Sequence, residues 1–388
     1  MRWSHVSRDL TGLRWDRPRV TALGLDHALV LAIVGSRVVV LLAAVLAETV
    51  VTRNPVLTSG DGAPILRSLT SWDGWWYLGI VRDGYHAAPI VDGYHDYAFF
   101  PLYPLLVRAL SFPWPVYAGL VAVVLSNVLF VAALVLLVRL GRVVLGDERA
   151  RRGAMLLAIS PFAAVFSMAY SESLFLVLAV GAFLAVERDR RALSGVLFGL
   201  TVLARLQGAV LLLPLWFLLF ARDGRRLRAS QAWLLLGPLA GAAFLGYVAV
   251  LTGSAGSYGT AQAAWGRGGI GSSAAGAAIG SVLDLNQLVL LVTLIASLFL
   301  LVFRRVDRVP WAYALVSLLY VGAVFASGIL ESVGRYVTLA FPNAWLLAGR
   351  RATWSGAAGD LVRRGWPVVS LVLLGLVSLQ MFRGRFVP

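Results

Sequence analysis

The chain reads Ser71-Trp72-Asp73-Gly74-Trp75-Trp76-Tyr77 early in its sequence, and Phe99-Phe100-Pro101-Leu102-Tyr103-Pro104 follows soon after. Both stretches fall in the long polar segment between two hydrophobic segments near the N-terminus. Aromatic rings suit the boundary between a bilayer and water, because they combine an apolar body with a polar end. A carboxylate among such rings can reach both a lipid-borne molecule and solvent. The two stretches therefore predict a membrane protein with a site at the membrane surface.

The composition of the 388-residue chain indicates the same class. Hydrophobic residues make up 59% of the chain, charged residues 14%, and the mean hydropathy is +0.81. These values favour an all-α polytopic membrane protein over a soluble domain. There is no Cys, which excludes disulfides, thiolate metal sites and Cys nucleophiles.

Hydrophobic segments near the length that crosses a bilayer, roughly 17–25 residues, predict about eleven transmembrane helices. The segments lie near residues 26–51, 116–138, 153–169, 172–186, 192–205, 207–221, 231–252, 287–303, 310–329, 337–349 and 366–382. The pairs 153–186 and 192–221 are each one continuous apolar stretch with just enough length for two crossings.

The distribution of Arg predicts the orientation. All 34 basic residues are Arg, and 24 of them lie in the tail 1–25 or in the loops near 139–152, 187–191, 222–228, 304–309 and 350–365. Loops rich in Arg stay in the cytoplasm, so we expect a cytoplasmic N-terminal tail followed by a single integral-membrane domain, 26–388. The net charge of +15 is then explained by topology and by contact with anionic membrane lipids. It does not indicate nucleic-acid binding.

This topology places two substantial loops on the extracytoplasmic side. The first, 52–115, carries the aromatic motif around Asp73. The second, 253–287, is rich in Gly, Ala and Ser. A flexible loop of this kind can close over a site as a lid, or it can be a simple connector. The sequence leaves both interpretations open.

Charged and polar side chains recur at the extracytoplasmic ends of later segments. They are Glu172, Arg205, Gln207, Glu331, Arg335 and Tyr336. Charges beside a bilayer are costly and usually mark a pathway or a site. The arginines could instead be interfacial anchors, and Glu172 could cap a helix. Their grouping at one interface with Asp73 favours a surface site over a route through the membrane.

A short repeat also lies in the first extracytoplasmic loop: Asp83-Gly84-Tyr85-His86 recurs as Asp92-Gly93-Tyr94-His95. Asp and His are ligands for hard or borderline metal ions, which makes Asp83, His86, Asp92 and His95 weak candidates for a metal site. Two consecutive hairpin turns would use the same Asp-Gly steps. Whether a divalent metal binds is left open.

The motifs around Asp73 and at the later turns resemble those of a known family. The stretch from Trp72 to Ile80, then Gly84-Tyr85 and the 99–104 motif, resemble the first extracytoplasmic loop of the PIG-V family. This family comprises GPI mannosyltransferase 2 and bacterial relatives, which are membrane glycosyltransferases of the GT-C architecture. Further similar positions follow in order, at 170–175, 204–205, 335–336 and 341–342, so the resemblance covers about 70–342. Two departures, the second Asp-Gly-Tyr-His unit and the absence of Pro or Asn after Arg205, leave the acceptor's identity open.

The resemblance implies a mannosyltransferase that uses a polyprenyl-phosphate sugar donor and a lipid-linked acceptor in a bacterial cell membrane. Inverting transfer needs a base for the acceptor hydroxyl and positive charge for the departing phosphate. We expect Asp73 to be the base, and Arg335 and then Arg205 to bind the donor phosphate. The expected substrate contacts are Trp72, Trp75, Trp76, Tyr77, Glu172, Gln207 and Tyr336.

No other cofactor is expected, and there is no Gly-rich phosphate loop for a nucleotide. A lipid or glycolipid flippase is the alternative, and it predicts midplane charges, broken helices and internal symmetry. A non-catalytic lipid-binding partner of a cell-envelope enzyme is a third interpretation, in which Asp73 would tolerate Asn. The sequence leaves the linkage and the oligomeric state open.

Overall fold

The structure is a computed structural model that describes residues 26–50, 63–265, 309–327, 333–353 and 356–384. Four predicted features lie outside these ranges: the N-terminal tail, the predicted segment 287–303, Glu331 and most of the second predicted extracytoplasmic loop.

The described ranges are helical, as predicted. Their α-helices are α1 His27–Thr49, α2 Pro64–Leu69, α3 Asp73–Asp83, α4 Leu102–Ser111, α5 Ala118–Leu145, α6 Asp147–Ala158, α7 Glu172–Glu187, α8 Arg191–Ala204, α9 Leu212–Arg222, α10 Leu236–Thr252, α11 Ser257–Ala264, α12 Trp311–Ser327, α13 Val333–Leu339, α14 Pro342–Thr353 and α15 Gly356–Phe382.

Four stretches within these ranges are long and apolar enough to cross a membrane: His27–Thr49, Pro115–Leu145, Ala229–Thr252 and Gly365–Phe382. The protein is therefore a multi-pass membrane protein. Each predicted hydrophobic segment other than 287–303 contains helix, although several of those helices are short. The total of eleven crossings stays a prediction.

The apolar stretch 153–186 is not simply two straight crossings. Helix α6 ends at Ala158, and a 3₁₀ turn, Ala163–Phe166, precedes α7. Pro161 lies in the break, where it cannot donate a backbone hydrogen bond. Arg37 donates to the carbonyl of Ala163 over 3.2 Å, and Ser370 donates to that of Ile159 over 2.6 Å. These side chains satisfy carbonyls that a continuous helix would satisfy itself.

The described part of the first predicted extracytoplasmic loop, residues 63–115, is structured, because it contains α2, α3 and α4. Its short repeat does not form two hairpin turns. Gly84, with φ +80°, ends α3, whereas Asp92 and Gly93, with φ +46° and +82°, form a tight turn that closes the Val91–Tyr94 bridge. The same Asp-Gly step thus serves once as a helix end and once as a turn.

Ion pairs join the Arg-rich turns at one end of the helix bundle. Arg222 contacts Glu187 over 2.6 Å, Arg191 contacts Asp223 over 2.7 Å, and the Tyr313 hydroxyl donates to Glu187 over 2.7 Å. Glu187 is the last residue of α7 and Glu172 is the first, so the two ends are separated by about 24 Å of helix. The grouping of turns agrees with the predicted topology, and the assignment of this end to the cytoplasm stays a prediction.

Candidate active site

The two predicted site carboxylates each occupy the first position of a helix. Asp73 begins α3 and Glu172 begins α7. Unpaired N–H groups and the helix dipole favour negative charge at that end. The backbone before Asp73 is unusual, because Trp72 has φ +58°, a conformation that bulky residues rarely adopt. The Trp72 indole donates to the carbonyl of Met381 over 2.9 Å, which ties this strained position to α15.

Four charged side chains form a linear cluster with alternating signs, here called the ion chain: Asp73, Arg335, Glu172 and Arg205. Arg335 Nη1 donates to Asp73 Oδ2 over 2.6 Å and lies 3.2 Å from Glu172 Oε1. Arg205 Nη1 donates to the same Glu172 oxygen over 2.5 Å. The structure therefore brings Glu172, Arg205 and Arg335, from three turns that are distant in sequence, together with the aromatic motif around Asp73.

Burial differs sharply along the ion chain. The Glu172 side chain is 0% exposed, Arg335 is 3%, Arg205 is 6%, and Asp73 is 19%. Buried charges need opposite charges and hydrogen bonds, since an isolated one is very costly. Glu172 Oε2 has no hydrogen-bond partner among the described residues. Asp73 is thus the member of the ion chain most open to a ligand.

Hydroxyl groups hold the ion chain from the side. Arg205 Nη1 donates to Ser171 Oγ over 3.1 Å, and the Tyr77 hydroxyl lies 2.7 Å from the same oxygen. Burial raises the pKa of Tyr77 above its ordinary value, so this hydroxyl stays neutral at physiological pH. The backbone N–H of Asp73 points to the hydroxyl of Tyr170 over 3.4 Å.

A narrow cleft that is partly open to solvent lies beside the ion chain. Its lining consists of Asp73, Tyr77, Ala98, Phe99, Phe100, Ala204, Arg205, Leu206, Gln207 and Tyr258. Two members of the ion chain, Asp73 and Arg205, therefore face the cleft. Arg335 and Glu172 are not part of the lining and lie behind Asp73. From the sequence we expected Arg335 to be the main arginine at the donor phosphate, whereas in the structure Arg205 is the arginine that lines the cleft.

Among the aromatic residues predicted to contact substrate, Tyr77 lines the cleft. Trp76 instead stacks on Phe99, with ring centroids 5.7 Å apart, and meets Trp75 edge to face at 5.0 Å. Trp72 is anchored to α15, as described above. The tryptophans thus support the wall of the cleft, and Phe99 and its neighbours form its surface.

Sequence reasoning assigned no role to three aromatic residues of the cleft: Phe99, Phe100 and Tyr258. The first two belong to the quoted 99–104 motif. Tyr258 lies on α11, in the first part of the second predicted extracytoplasmic loop, 6.0 Å from Phe100 by ring centroids. The signal was available, because Tyr258 and Trp265 are the two aromatic residues in a loop rich in Gly, Ala and Ser.

Gln207 and Tyr336, predicted at two separate turns, are in direct contact. The Gln207 amide donates to the Tyr336 hydroxyl over 3.0 Å. Gln207 lines the cleft, whereas Tyr336 is only 4% exposed. Tyr336 therefore supports Gln207 from behind.

The four weak metal candidates are not brought together. His86 pairs with Asp96, Nδ1 to Oδ2 over 2.8 Å, and the ring of His95 stacks on Tyr97. In the part of the chain that the structure describes, no group of three or more His, Asp or Glu side chains could hold a metal ion. The one carboxylate in the cleft lining, Asp73, contacts Arg335, so this donor set does not fit a divalent cation.

An apolar groove lies between α9 and α12, with about 1290 Å³ of empty space that includes open surroundings. It is lined by Ala209, Val210, Leu212, Leu213, Trp216, Leu318, Leu319, Gly322 and Ala323. The 3₁₀ helix Leu206–Leu211 contributes both to this groove and to the cleft. The groove and the cleft are thus neighbours along the chain.

Comparison with known proteins gives a family match over half of the chain. Residues 29–222 match the family described as Mannosyltransferase (PIG-V). This range includes Asp73, Glu172, Arg205 and Gln207, and it ends before Arg335.

Curated relatives match a shorter part. The GPI alpha-1,6-mannosyltransferase 2 of Cricetulus griseus is 37% identical over 156 residues, which are 38% of this chain and 30% of that protein. The Mus musculus protein of the same name is 36% identical with the same coverage. The matched part of the chain thus spans about 30% of the length of these relatives.

Solved structures show a common fold. The Archaeoglobus fulgidus oligosaccharyltransferase in its apo form matches with a TM-score of 0.52 at 14% identity, over 90% of this chain and 55% of that chain. The same enzyme tethered to an acceptor peptide gives a TM-score of 0.51 at 15% identity, over 93% and 55%. This likeness shows the predicted GT-C architecture and nothing about substrates. On the family match, the chain belongs to the PIG-V mannosyltransferase family.

Proposed function

We propose that this protein transfers a mannosyl group from a polyprenyl-phosphate donor to a lipid or glycolipid acceptor, with inversion, at the extracytoplasmic face of a bacterial cell membrane. The observation that carries this proposal is the Asp73 carboxylate on the wall of a cleft, with Arg335 behind it and Arg205 in the same lining. The family supports the choice of sugar, and the Arg-rich turns at the opposite end support the choice of face.

Asp73 acts as the general base. Its carboxylate takes the proton of the acceptor hydroxyl while that oxygen bonds to C1 of the sugar. The bond from C1 to the phosphate oxygen breaks, and its electron pair leaves with the phosphate. Positive charge develops on the sugar ring in the transition state, which a nearby carboxylate also stabilises.

The arginines receive the negative charge of the departing phosphate. Arg205 faces the cleft, and Arg335 stands directly behind Asp73. Guanidinium groups suit phosphate, because they offer several N–H donors in a fixed plane. Glu172 is completely buried against both arginines, so it positions them and does not touch substrate.

The remaining lining suits the other parts of the substrates. Tyr77, Phe99, Phe100 and Tyr258 offer aromatic surfaces to sugar rings. The apolar groove between α9 and α12 receives the prenyl chain of the donor, because it adjoins the cleft through Leu206–Leu211. No step of this mechanism passes through a metal ion.

Sugar transfer by the purified protein in lipid nanodiscs tests the proposal, with polyprenyl-phosphate mannose as donor and a membrane lipid extract as acceptor. Asp73→Asn should lose activity by about 10²- to 10⁴-fold, because the amide cannot take the proton. The matched control is Asp92→Asn, an exposed acid in the same loop, which should keep full activity. Parallel reactions with EDTA show whether transfer needs a divalent metal.

Full activity in Asp73→Asn would remove Asp73 as the base. If the wild-type protein makes no product but moves the donor between leaflets, the protein is a flippase and the proposal is wrong.

A further inference from the structure

In this structure Arg335 is hydrogen-bonded to Asp73 and does not line the cleft. Its Nη1 donates to Asp73 Oδ2 over 2.6 Å, its side chain is 3% exposed, and it is not among the residues that line the cleft. A phosphate entering the cleft therefore meets Arg205 directly, and it reaches Arg335 only by replacing the Asp73 carboxylate.

The charge balance of the ion chain also indicates that a phosphate would replace Asp73 at Arg335. Two carboxylates balance two guanidinium groups, and Glu172 already bonds to both arginines. A phosphodiester adds a third anion to this set. Like charges in a poorly solvated site repel strongly, so the anion that is free to move should give way. Asp73 is that anion, since it is 19% exposed whereas Glu172 is fully buried.

We propose that Asp73 and the phosphate of the donor compete for Arg335, so that donor binding releases the Asp73 carboxylate toward the acceptor. This inference rests on the proposed function and adds an order of events to it. Before the donor binds, the base is held in an ion pair. After the donor binds, Arg335 contacts phosphate and Asp73 is free to accept a proton.

Charge is conserved through the transfer step. The proton from the acceptor hydroxyl neutralises Asp73, and the electron pair of the broken C1–O bond leaves one further negative charge on the phosphate. Arg335 is then beside the group that carries the charge. When the lipid phosphate departs and Asp73 releases its proton to solvent, the ion pair re-forms. Glu172 keeps Arg335 in place from behind throughout, 3.2 Å from its Nη1.

Binding of polyprenyl phosphate, the leaving product, to the protein in nanodiscs tests the competition without any need for turnover. Asp73→Asn removes the competing carboxylate charge, so it should bind this lipid about ten-fold more tightly than wild type. Asp92→Asn removes the same charge from the same loop and should leave the affinity unchanged.

The double variant with Arg335→Gln distinguishes competition from a general change in electrostatic potential. In the Arg335→Gln background, Asp73→Asn should no longer tighten binding, because the shared partner is gone. Tightening that persists in this background would overturn the proposal. Unchanged or weaker binding by Asp73→Asn alone would overturn it as well.

A second measurement uses the wild-type chain, in case Arg335→Gln does not fold. In isotope-edited infrared difference spectra, assigned by subtraction of the Asp73→Asn spectrum, polyprenyl phosphate should shift the carboxylate band of Asp73. Absence of a shift in lipid-saturated protein would overturn the proposal. Because neither readout depends on sugar transfer, failure here with normal transfer rejects the competition alone, and lack of transfer rejects the proposed function.

Discussion

At the scale of single residues, Glu172 determines the geometry of the candidate site. One of its oxygens bonds to both Arg205 and Arg335, and the side chain has no exposed surface. Removing one partner from a buried charge network leaves the others uncompensated, at a cost of about 3–5 kcal/mol. We therefore expect Glu172 to act on the proposed reaction through the two arginines.

Glu172→Gln tests this positioning role. The neutral amide cannot balance two guanidinium groups, so we expect kcat to fall by roughly 10- to 100-fold through misplacement of the arginines, with a smaller change in the acceptor KM. Glu172→Asp, which keeps the charge, should recover part of the rate. Steady-state kinetics with the acceptor varied at saturating donor measure both parameters.

The same helix provides the control. Glu187→Gln, at the other end of α7, changes the same side chain beside Arg222 and Tyr313, and it should leave kcat unaltered. An equal fall of kcat in both variants would mean that α7 as a whole, and not the ion chain, is disturbed.

At the scale of elements, the short helix α13 brings Arg335 to Asp73. A Cβ on Gly334 would lie 2.3 Å from the Phe162 ring, and Thr338 lies 3.4 Å from Ser160 through their hydroxyl oxygens. Helix α13 therefore packs directly on the break between α6 and α7. The same break leads into α7, which begins at Glu172, so one contact sets the positions of Arg335 and Glu172.

Gly334→Ala should push α13 away from Phe162. Overpacking of this kind costs typically about 1–3 kcal/mol, and a displaced Arg335 should reduce transfer by at least about ten-fold. Adding Phe162→Ala should restore part of the activity, because it makes room for the new methyl group. Transfer rate and melting temperature are the measurements.

Gly246→Ala in α10 is the matched control, since a Cβ there meets nothing within 4 Å. It should keep both its activity and its melting temperature. If Gly334→Ala behaves like this control, α13 does not depend on the close approach to Phe162.

The sequence predicts the helices and the turns that meet at the site, but it does not predict the break between α6 and α7. Apolar segments mark the helices, and the charges at their ends mark the turns that meet around Asp73. The break between Ala158 and Glu172 is harder to foresee, because apolar residues continue through it and the carbonyls of Ile159 and Ala163 are satisfied by side chains from other helices. Only Pro161 hints at it.

The order of the ion chain also lies beyond sequence reasoning. Asp73 and Arg335 are 262 positions apart, and which arginine faces the cleft depends on how α3 and α13 pack. The positive φ of Trp72 is equally unexpected, since local preference opposes it, whereas the contacts that accompany it, such as the hydrogen bond to Met381, are tertiary.

At the scale of the whole molecule, the candidate site and the Arg-rich turns that predict the orientation lie at opposite ends of the helix bundle. The ion chain occupies one end, and the Arg-rich turns with Glu187 and Asp223 occupy the other. The proposed reaction uses a lipid-linked sugar at the extracytoplasmic face. It therefore requires the ion chain to face away from the cytoplasm, which is where nucleotide sugars are found. Because the chain has no Cys, single introduced cysteines report orientation without any background.

Val91→Cys and Leu227→Cys place a thiol at opposite ends, at positions that are 47% and 78% exposed. In intact cells, a membrane-impermeant maleimide should label Val91→Cys, because position 91 lies in the loop that the distribution of Arg predicts to be extracytoplasmic. Leu227→Cys should react only after the membrane is permeabilised, since the positive-inside rule keeps its turn in the cytoplasm. Both should react in detergent, and the wild-type chain in no condition. The reverse pattern would put Asp73 and its cleft on the cytoplasmic side, and transfer at the extracytoplasmic face would then be impossible.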